Sequence, residues 1–125
     1  MIIVDSDILI WILRGRSDIR DKFIELSSIV DNQLCITPIQ ISEIFAGMKE
    51  KEKINAALFI DSMPCISIDD KLGRIAGEYL HVYHKSLGVT LADAFIGACV
   101  KNFSLKLWTL NKKHYPMLQP DDFLS

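Results

Sequence analysis

Three β-formers, Ile2-Ile3-Val4, run straight into Asp5-Ser6-Asp7, where the hydrophobic period changes from that of a strand to that of a helix. The same change recurs downstream. Leu34-Cys35-Ile36 precedes a helix that Thr37 caps and Pro38 opens, a strong start signal. Cys65 to Ile68 reads as a third strand before a helix that starts at Asp69 or Asp70 and runs to about Lys85, with Gly88 ending that region. Lys106 to Thr109 reads as a fourth strand, followed by loop and a possible edge strand. Between these lie helices over Ile8 to Leu13 (Ser6 or Asp7 as cap, Gly15 as stop) and over Ser17 to Val30, with Ile19, Phe23, Leu26 and Val30 on one face. Asn55 to Met63 and Leu91 to about Asn102, the latter capped by Thr90, complete the helices, and the charged run Lys49 to Lys53 is a connection. Strands that alternate with helices predict an α/β fold with a mainly parallel sheet covered on both faces. Ligands in such sheets bind at the carboxyl ends of the strands, where Asp5 sits.

At 125 residues the chain is expected to be one domain, 1–125, long enough to bury a real core. No apolar run reaches the roughly 18 residues of a membrane span, and the start has no basic segment before an apolar one. A cytoplasmic protein is the simplest expectation. Cys35, Cys65 and Cys99 are odd in number, far apart and set in apolar segments, which reads as small buried hydrophobes in a reducing compartment. A net charge of −2 weighs against a nucleic-acid partner, since phosphate binding usually needs a basic excess. A carboxylate-lined metal site lowers the net charge by itself, however, and basic clusters occur at Arg14, Arg16 and Arg20, at Lys49, Lys51 and Lys53, and at Lys112 and Lys113.

Three acids stand out. Asp5 leaves the carboxyl end of the first strand, either as a site acid or as a turn and cap acid. Glu43 shares a helix face with Gln40 and Gly47, opposite Ile41, Ile44, Phe45 and Met48; an ordinary solvated face would look the same. Asp93 is the one charged residue in Leu91 to Val100, and a buried unpaired carboxylate costs several kcal/mol. Thr90 and Asp93 have the spacing of a capping box, which would satisfy that carboxylate without a metal. Glycine follows four residues after Glu43 and again after Asp93, costing about 1 kcal/mol in a helix interior while leaving room beside each carboxylate. Acids gathered without thiolates suit a hard cation, Mg2+ or Mn2+, which clamps a phosphate and acidifies water.

The segments Ile3 to Ile10, Ile39 to Gly47 and Leu91 to Ala98 resemble the PIN-domain signatures in order and spacing, and Trp108 to Tyr115 resembles that family's closing motif. Within the family the chain looks most like the short VapC-type toxins of bacterial toxin–antitoxin pairs. The resemblance implies a three-layer α/β/α sandwich and a Mg2+- or Mn2+-dependent endoribonuclease that hydrolyses RNA with a metal-activated water. It also implies a homodimer and neutralisation by a cognate antitoxin protein. By motif, Asp5, Glu43 and Asp93 become the catalytic and metal-binding acids, with Ser6, Asp7, Thr109 and Asn111 in support. Many relatives have a fourth acid where this chain has His114, which stands either as a ligand better suited to Mn2+ or as a loop histidine. That departure makes a one-metal mechanism more plausible.

Lys112 and Lys113 flank the closing motif, either meeting RNA or lying in a solvated loop. His81 and His84 read as surface histidines, and Trp11, Phe23 and Tyr79 as core. Two other enzyme or signalling classes share parts of the pattern. In a haloacid-dehalogenase-like phosphatase Asp5 would be a phosphorylated nucleophile, but Leu9 stands where that family has Thr or Val. In a phospho-acceptor receiver domain, Asp69 and Lys106 fit the required positions poorly. A PIN-like domain that binds without cleaving is the remaining alternative.

Overall fold

The computed structural model describes residues 1–29 and 33–124. In chain order the elements are β1 (Ile2–Val4), α1 (Ser6–Leu13), α2 (Ser17–Ser28), β2 (Leu34–Cys35), α3 (Pro38–Ala46), α4 (Lys53–Asp61), α5 (Asp70–Leu87), α6 (Leu91–Phe103) and β3 (Lys106–Trp108). Short 3-10 turns follow at Glu50–Glu52, Lys112–His114 and Pro120–Asp122. The strands form a parallel sheet in the order β2-β1-β3, with Ile3 opposite Cys35 on one side and Leu107 on the other.

Successive strand residues point to opposite faces, and here both faces are apolar. Ile3, Cys35 and Leu107 meet Leu72 and Ala76 of α5 and the buried run from Ile96 to Val100 of α6. Ile2, Val4, Leu34, Ile36 and Trp108 face the other way, against Ile8 and Leu9 of α1, Ile19 of α2, Ile44 of α3 and Ile60 of α4. The result is the expected three-layer α/β/α sandwich, with β1 in its centre.

Several elements differ from expectation for identifiable reasons. The third strand, Cys65 to Ile68, shrinks to one parallel bridge between Ile36 and Cys65. Pro64 has no N–H to give the ladder, and only its carbonyl takes part, accepting from Ile36 at 3.0 Å. Cys65, placed after that proline, is exposed, whereas Cys35 and Cys99 are buried as expected. The possible edge strand near the end is likewise a single bridge, Leu107 to Phe123. The fourth strand stops at Trp108, because Thr109 turns its hydroxyl to the acids described below. The reading that carries α2 to Val30 ends outside the described residues.

Trp11 is not core. It is 39% exposed, with Arg16 and Arg14 over its ring at 5.2 and 6.0 Å. The helix α1 is apolar nearly all round, and only one side of it can meet the sheet. Phe23 and Tyr79 are half-buried against the two cores. Among the described residues no helix is long and apolar enough to cross a membrane.

The chain after β3 folds back onto α6, and Gly97 is where they meet. A Cβ built there would stand 2.7 Å from the Met117 sulfur. Gly97→Ala should therefore destabilise the fold by about 1–3 kcal/mol through overpacking. Chemical denaturation checks this in a double-mutant cycle: Gly97→Ala should cost less in a Met117→Ala background than in the wild type, and an unperturbed single variant would show that the contact yields freely.

Candidate active site

Asp5 ends the central strand and begins α1. Its backbone N–H extends the ladder to the Trp108 carbonyl at 3.0 Å, while its side chain caps the helix, Oδ1 accepting from the Ser6 amide at 2.8 Å. Thus neither Ser6 nor Asp7 is the cap. The other oxygen, Oδ2, accepts from the Thr109 hydroxyl at 2.9 Å and from the Tyr115 hydroxyl at 2.7 Å. Asp5 is only 9% exposed, so three donors replace the water that its carboxylate has lost.

Asp7 holds the loop that supplies those donors. Its Oδ2 accepts from the Leu110 amide and the Asn111 side-chain amide, both at 3.0 Å, and lies 3.4 Å from the Thr109 hydroxyl. Asn111 also donates its backbone N–H to Thr109 Oγ1 at 3.1 Å. The four expected supporting residues are thereby gathered beside Asp5.

Glu43 arrives through α3. Thr37 and Gln40 form a capping box at the start of that helix, with the Gln40 carbonyl oxygen accepting from the Thr37 amide at 2.9 Å. Gln40 is fully buried rather than part of a solvated stripe, because its amide donates to the carbonyl of Val4 at 3.0 Å. That bond docks α3 on the end of β1. One turn later, Glu43 Oε1 accepts from the Ser6 hydroxyl at 3.2 Å.

Asp93 lies in the first turn of α6 and is the capping-box residue. Its amide donates to Thr90 Oγ1 at 3.2 Å, and its Oδ2 accepts weakly from the Thr90 amide at 3.5 Å. The glycines four residues on have unrelated causes: Gly47 is the residue after the last turn of α3, and Gly97 admits Met117. Gly97 leaves no space beside Asp93, whereas Gly47 lines an open cleft together with Glu43.

Burial, then repulsion from Asp7, raises the Asp5 carboxyl above its usual value, opposed by the donors Tyr115, Thr109 and Ser6. Burial also raises Glu43; the Ser6 hydroxyl opposes the shift, and the charges of Asp5, Asp93 and Asp7 add to it. The four acids therefore share one field. None is ion-paired with a lysine or arginine among the described residues.

Tyr115 was not a sequence candidate, yet its hydroxyl is in the site, and its ring is 2% exposed. Burial and the charge of Asp5 push its own pKa far up, so it acts as a fixed donor. His114, one residue earlier, has an exposed side chain with no hydrogen bond or ion pair among the described residues. Lys112 sits over the Phe123 ring at 5.4 Å, and Lys113 is exposed. His81 and His84 are exposed on α5, where His84 Nδ1 contacts the Val89 carbonyl at 3.0 Å.

Among the described residues no three acid, imidazole or thiol groups stand close enough to ligate one ion directly. An all-oxygen cluster in which the Asp5 and Glu43 carboxyls are raised and which has no internal cation among the described residues still fits a hard divalent ion, which binds through one or two carboxylates and retains several waters. Asp5 keeps a free lone pair on Oδ1, and Glu43 and Asp93 each have one oxygen without a hydrogen bond among the described residues.

A parallel α/β sheet that collects acids at the carboxyl edge of its central strand defines an α/β protein with an oxygen-donor site. The chain belongs to the PIN-domain family, whose profile matches residues 2–116. It is 32% identical to Ribonuclease VapC10 of Mycobacterium tuberculosis over 120 residues, covering 95% of this chain and 89% of that one. It is 37% identical to Ribonuclease VapC3 of Methanocaldococcus jannaschii over 77 residues, 61% and 71% of the two chains. In fold it is similar to VapBC2 of Rickettsia felis bound to a promoter DNA fragment (TM-score 0.79, 19% identity, 100% and 98% covered). A toxin–antitoxin complex from Klebsiella pneumoniae is similar too (TM-score 0.77, 22% identity, 97% and 94% covered). Membership in the PIN-domain family leaves the phosphatase and receiver readings without support.

Tyr115→Phe keeps the ring and removes one donor to a buried carboxylate. It should cost about 1–3 kcal/mol in denaturation at neutral pH and raise the Asp5 pKa further, since that donor lowers it; unchanged stability would show the hydroxyl to be dispensable.

Asp5 and Glu43 both bind their protons more tightly folded than unfolded. Their contribution to stability is thus present at acid pH and lost as pH rises from the unfolded values of 3.8 and 4.5 through the raised folded ones. In thermal melts of chelated protein, Glu43→Gln should flatten that decline and shrink the gain in Tm on adding Mn2+ at neutral pH. A variant with the parent's pH slope and metal gain would remove Glu43 from the cluster.

Proposed function

We propose that the protein is a metal-dependent endoribonuclease and the toxin of a toxin–antitoxin pair. The observation that carries this reading is the shared field of Asp5, Glu43, Asp93 and Asp7 at the end of β1, in a PIN-domain chain similar to Ribonuclease VapC10. Asp5, Glu43 and Asp93 are the residues that would hold Mg2+ or Mn2+. When bound, such an ion supplies positive charge to the attacked phosphate and makes water more acidic.

The chain's own residues provide the arrangement. Ser6, Thr109 and Tyr115 hold Asp5 in one orientation, so its remaining lone pair on Oδ1 is presented without a rotamer search. Asp7 keeps Thr109 and Asn111 in place, and Ser6 steadies Glu43. His114 is left as a loop residue and a single ion is the simpler arrangement. A cytoplasmic setting, a homodimer and a cognate antitoxin complete the proposal, with RNA phosphodiester bonds as the substrate.

Asp93→Asn keeps the helix cap and removes the charge. It should reduce RNA cleavage in Mg2+ or Mn2+ by at least about 100-fold and abolish growth arrest on expression. Full metal-dependent activity in that variant would sink the proposed site. A wild-type protein that binds RNA but leaves it intact with every divalent ion would instead be the non-cleaving PIN-like domain.

A further inference from the structure

Two basic clusters that lie far apart in the chain come together on one surface. A cleft of about 570 Å3 runs between the end of α1, the end of α3 and the start of α4, and its walls include Arg14, Lys49 and Lys51. Glu43, one of the four acids, also lines it. The cleft therefore reaches the carboxylate cluster at Glu43. All three cations are exposed, and none is ion-paired among the described residues. The Glu52 carboxylate, also on the wall, is turned to the Lys49 amide at 3.2 Å. Between the charges the floor is aliphatic, with Ile10, Ile44 and Met48.

We propose that this cleft is the track that holds a single strand of RNA, its phosphates against Arg14, Lys49 and Lys51 and its bases over the aliphatic floor. The inference rests on the ribonuclease reading for the identity of the strand. Unpaired cations match phosphates by charge, each contact releasing condensed counterions. The aliphatic floor offers van der Waals contact to unpaired bases, whose faces a duplex keeps stacked inside. Glu43 in the wall decides between RNA and an acidic protein segment, because a strand cut at the acids has to pass beside it. Lys112 and Lys113 do not line this cleft, and they are not part of the proposed track.

The test compares the full-length wild type with the triple variant Arg14→Ala, Lys49→Ala, Lys51→Ala and with the charge-keeping triple Arg14→Lys, Lys49→Arg, Lys51→Arg. Binding of a short fluorescent single-stranded RNA is followed by anisotropy in chelator across a salt series, so the answer does not depend on cleavage. The alanine triple should lower the slope of log K against log salt by about 2 and weaken binding by on the order of 100-fold at about 0.1 M salt, with little effect at about 1 M. The charge-keeping triple should restore most of the affinity. In Mn2+ the alanine triple should raise KM more than it lowers kcat.

Wild-type affinity and slope in the alanine triple would overturn the track, even with Asp93→Asn still inactive, and the nuclease reading would stand. Unchanged RNA affinity with weakened binding of the cognate antitoxin would reassign the cleft to a protein and likewise overturn the proposal. Duplex RNA held as tightly as the single strand would overturn the single-strand assignment. Loss of cleavage in the wild type under all divalent ions, with the slope change intact, would fail the nuclease reading and leave the track in place.

Discussion

The carboxylate of Asp5 is the bond hub on which both the site and the closing loop depend. It receives the first amide of α1, the Thr109 hydroxyl beyond β3 and the Tyr115 hydroxyl of the following turn. Those donors come from positions up to 110 residues from Asp5, so their entropy of ordering must be met by the surrounding apolar burial. It is: Tyr115, Met117 and Leu118 are buried in the same core as α6 and one face of the sheet. The polar hub sets where the closing turn sits, and the apolar contacts of that turn keep the hub dry. Each arrangement makes the other possible.

The acids tolerate one another because most of them have a second, structural partner. Asp5 caps α1 and Asp93 caps α6, so both lie at helix N-termini where the backbone dipole favours negative charge by about 0.3–1 kcal/mol each. Asp7 is held by the amides of Leu110 and Asn111. The capping box and the proposed metal-ligand role of Asp93 are therefore compatible: capping occupies Oδ2 through a long 3.5 Å contact and leaves the other oxygen without a hydrogen bond among the described residues. Glu43 alone lies beyond the first turn of its helix, and burial, with three other acids adding to it, raises its pKa. It is the member whose charge a bound cation would relieve most directly.

Much of this was legible in the sequence because the telling residues break a local pattern. Asp5 interrupts a β run, Pro38 marks a helix start, and Asp93 is a charge in an apolar stretch. What stayed hidden depends on where an element lands. Gln40 falls on the polar stripe of a helical wheel, and no wheel shows that this stripe meets the end of β1. Tyr115 looks like any aromatic before a proline, and its hydroxyl is aimed only once the Asp7 clamp has turned the loop. Gly97 reads as space beside Asp93, whereas it is occupied by Met117 from a segment twenty residues later. The helices were clearer than the strands, since caps are local signals while a strand's length is set by its neighbour. Pro64 shortens one ladder in that way, and Thr109, recruited by Asp5, ends another.

A net charge of −2 and an RNA substrate conflict only if charge is averaged over the chain. Solvent ions screen exposed charges beyond about 10 Å at 0.1 M salt, so a phosphate responds to the groups beside it. Here the two signs are partly sorted: the acids cluster at the carboxyl edge of the sheet, and Arg14, Lys49 and Lys51 line the cleft that reaches them at Glu43. A strand in that cleft would meet three cations along its path, with Glu52 turned to the Lys49 amide, before it reached Glu43, where a bound divalent ion would reverse the local sign. Without that ion the acids repel the backbone; with it, they become the place where a phosphate is drawn in. On the proposed function, metal loading and substrate binding would be coupled through one local field, which whole-chain composition cannot register.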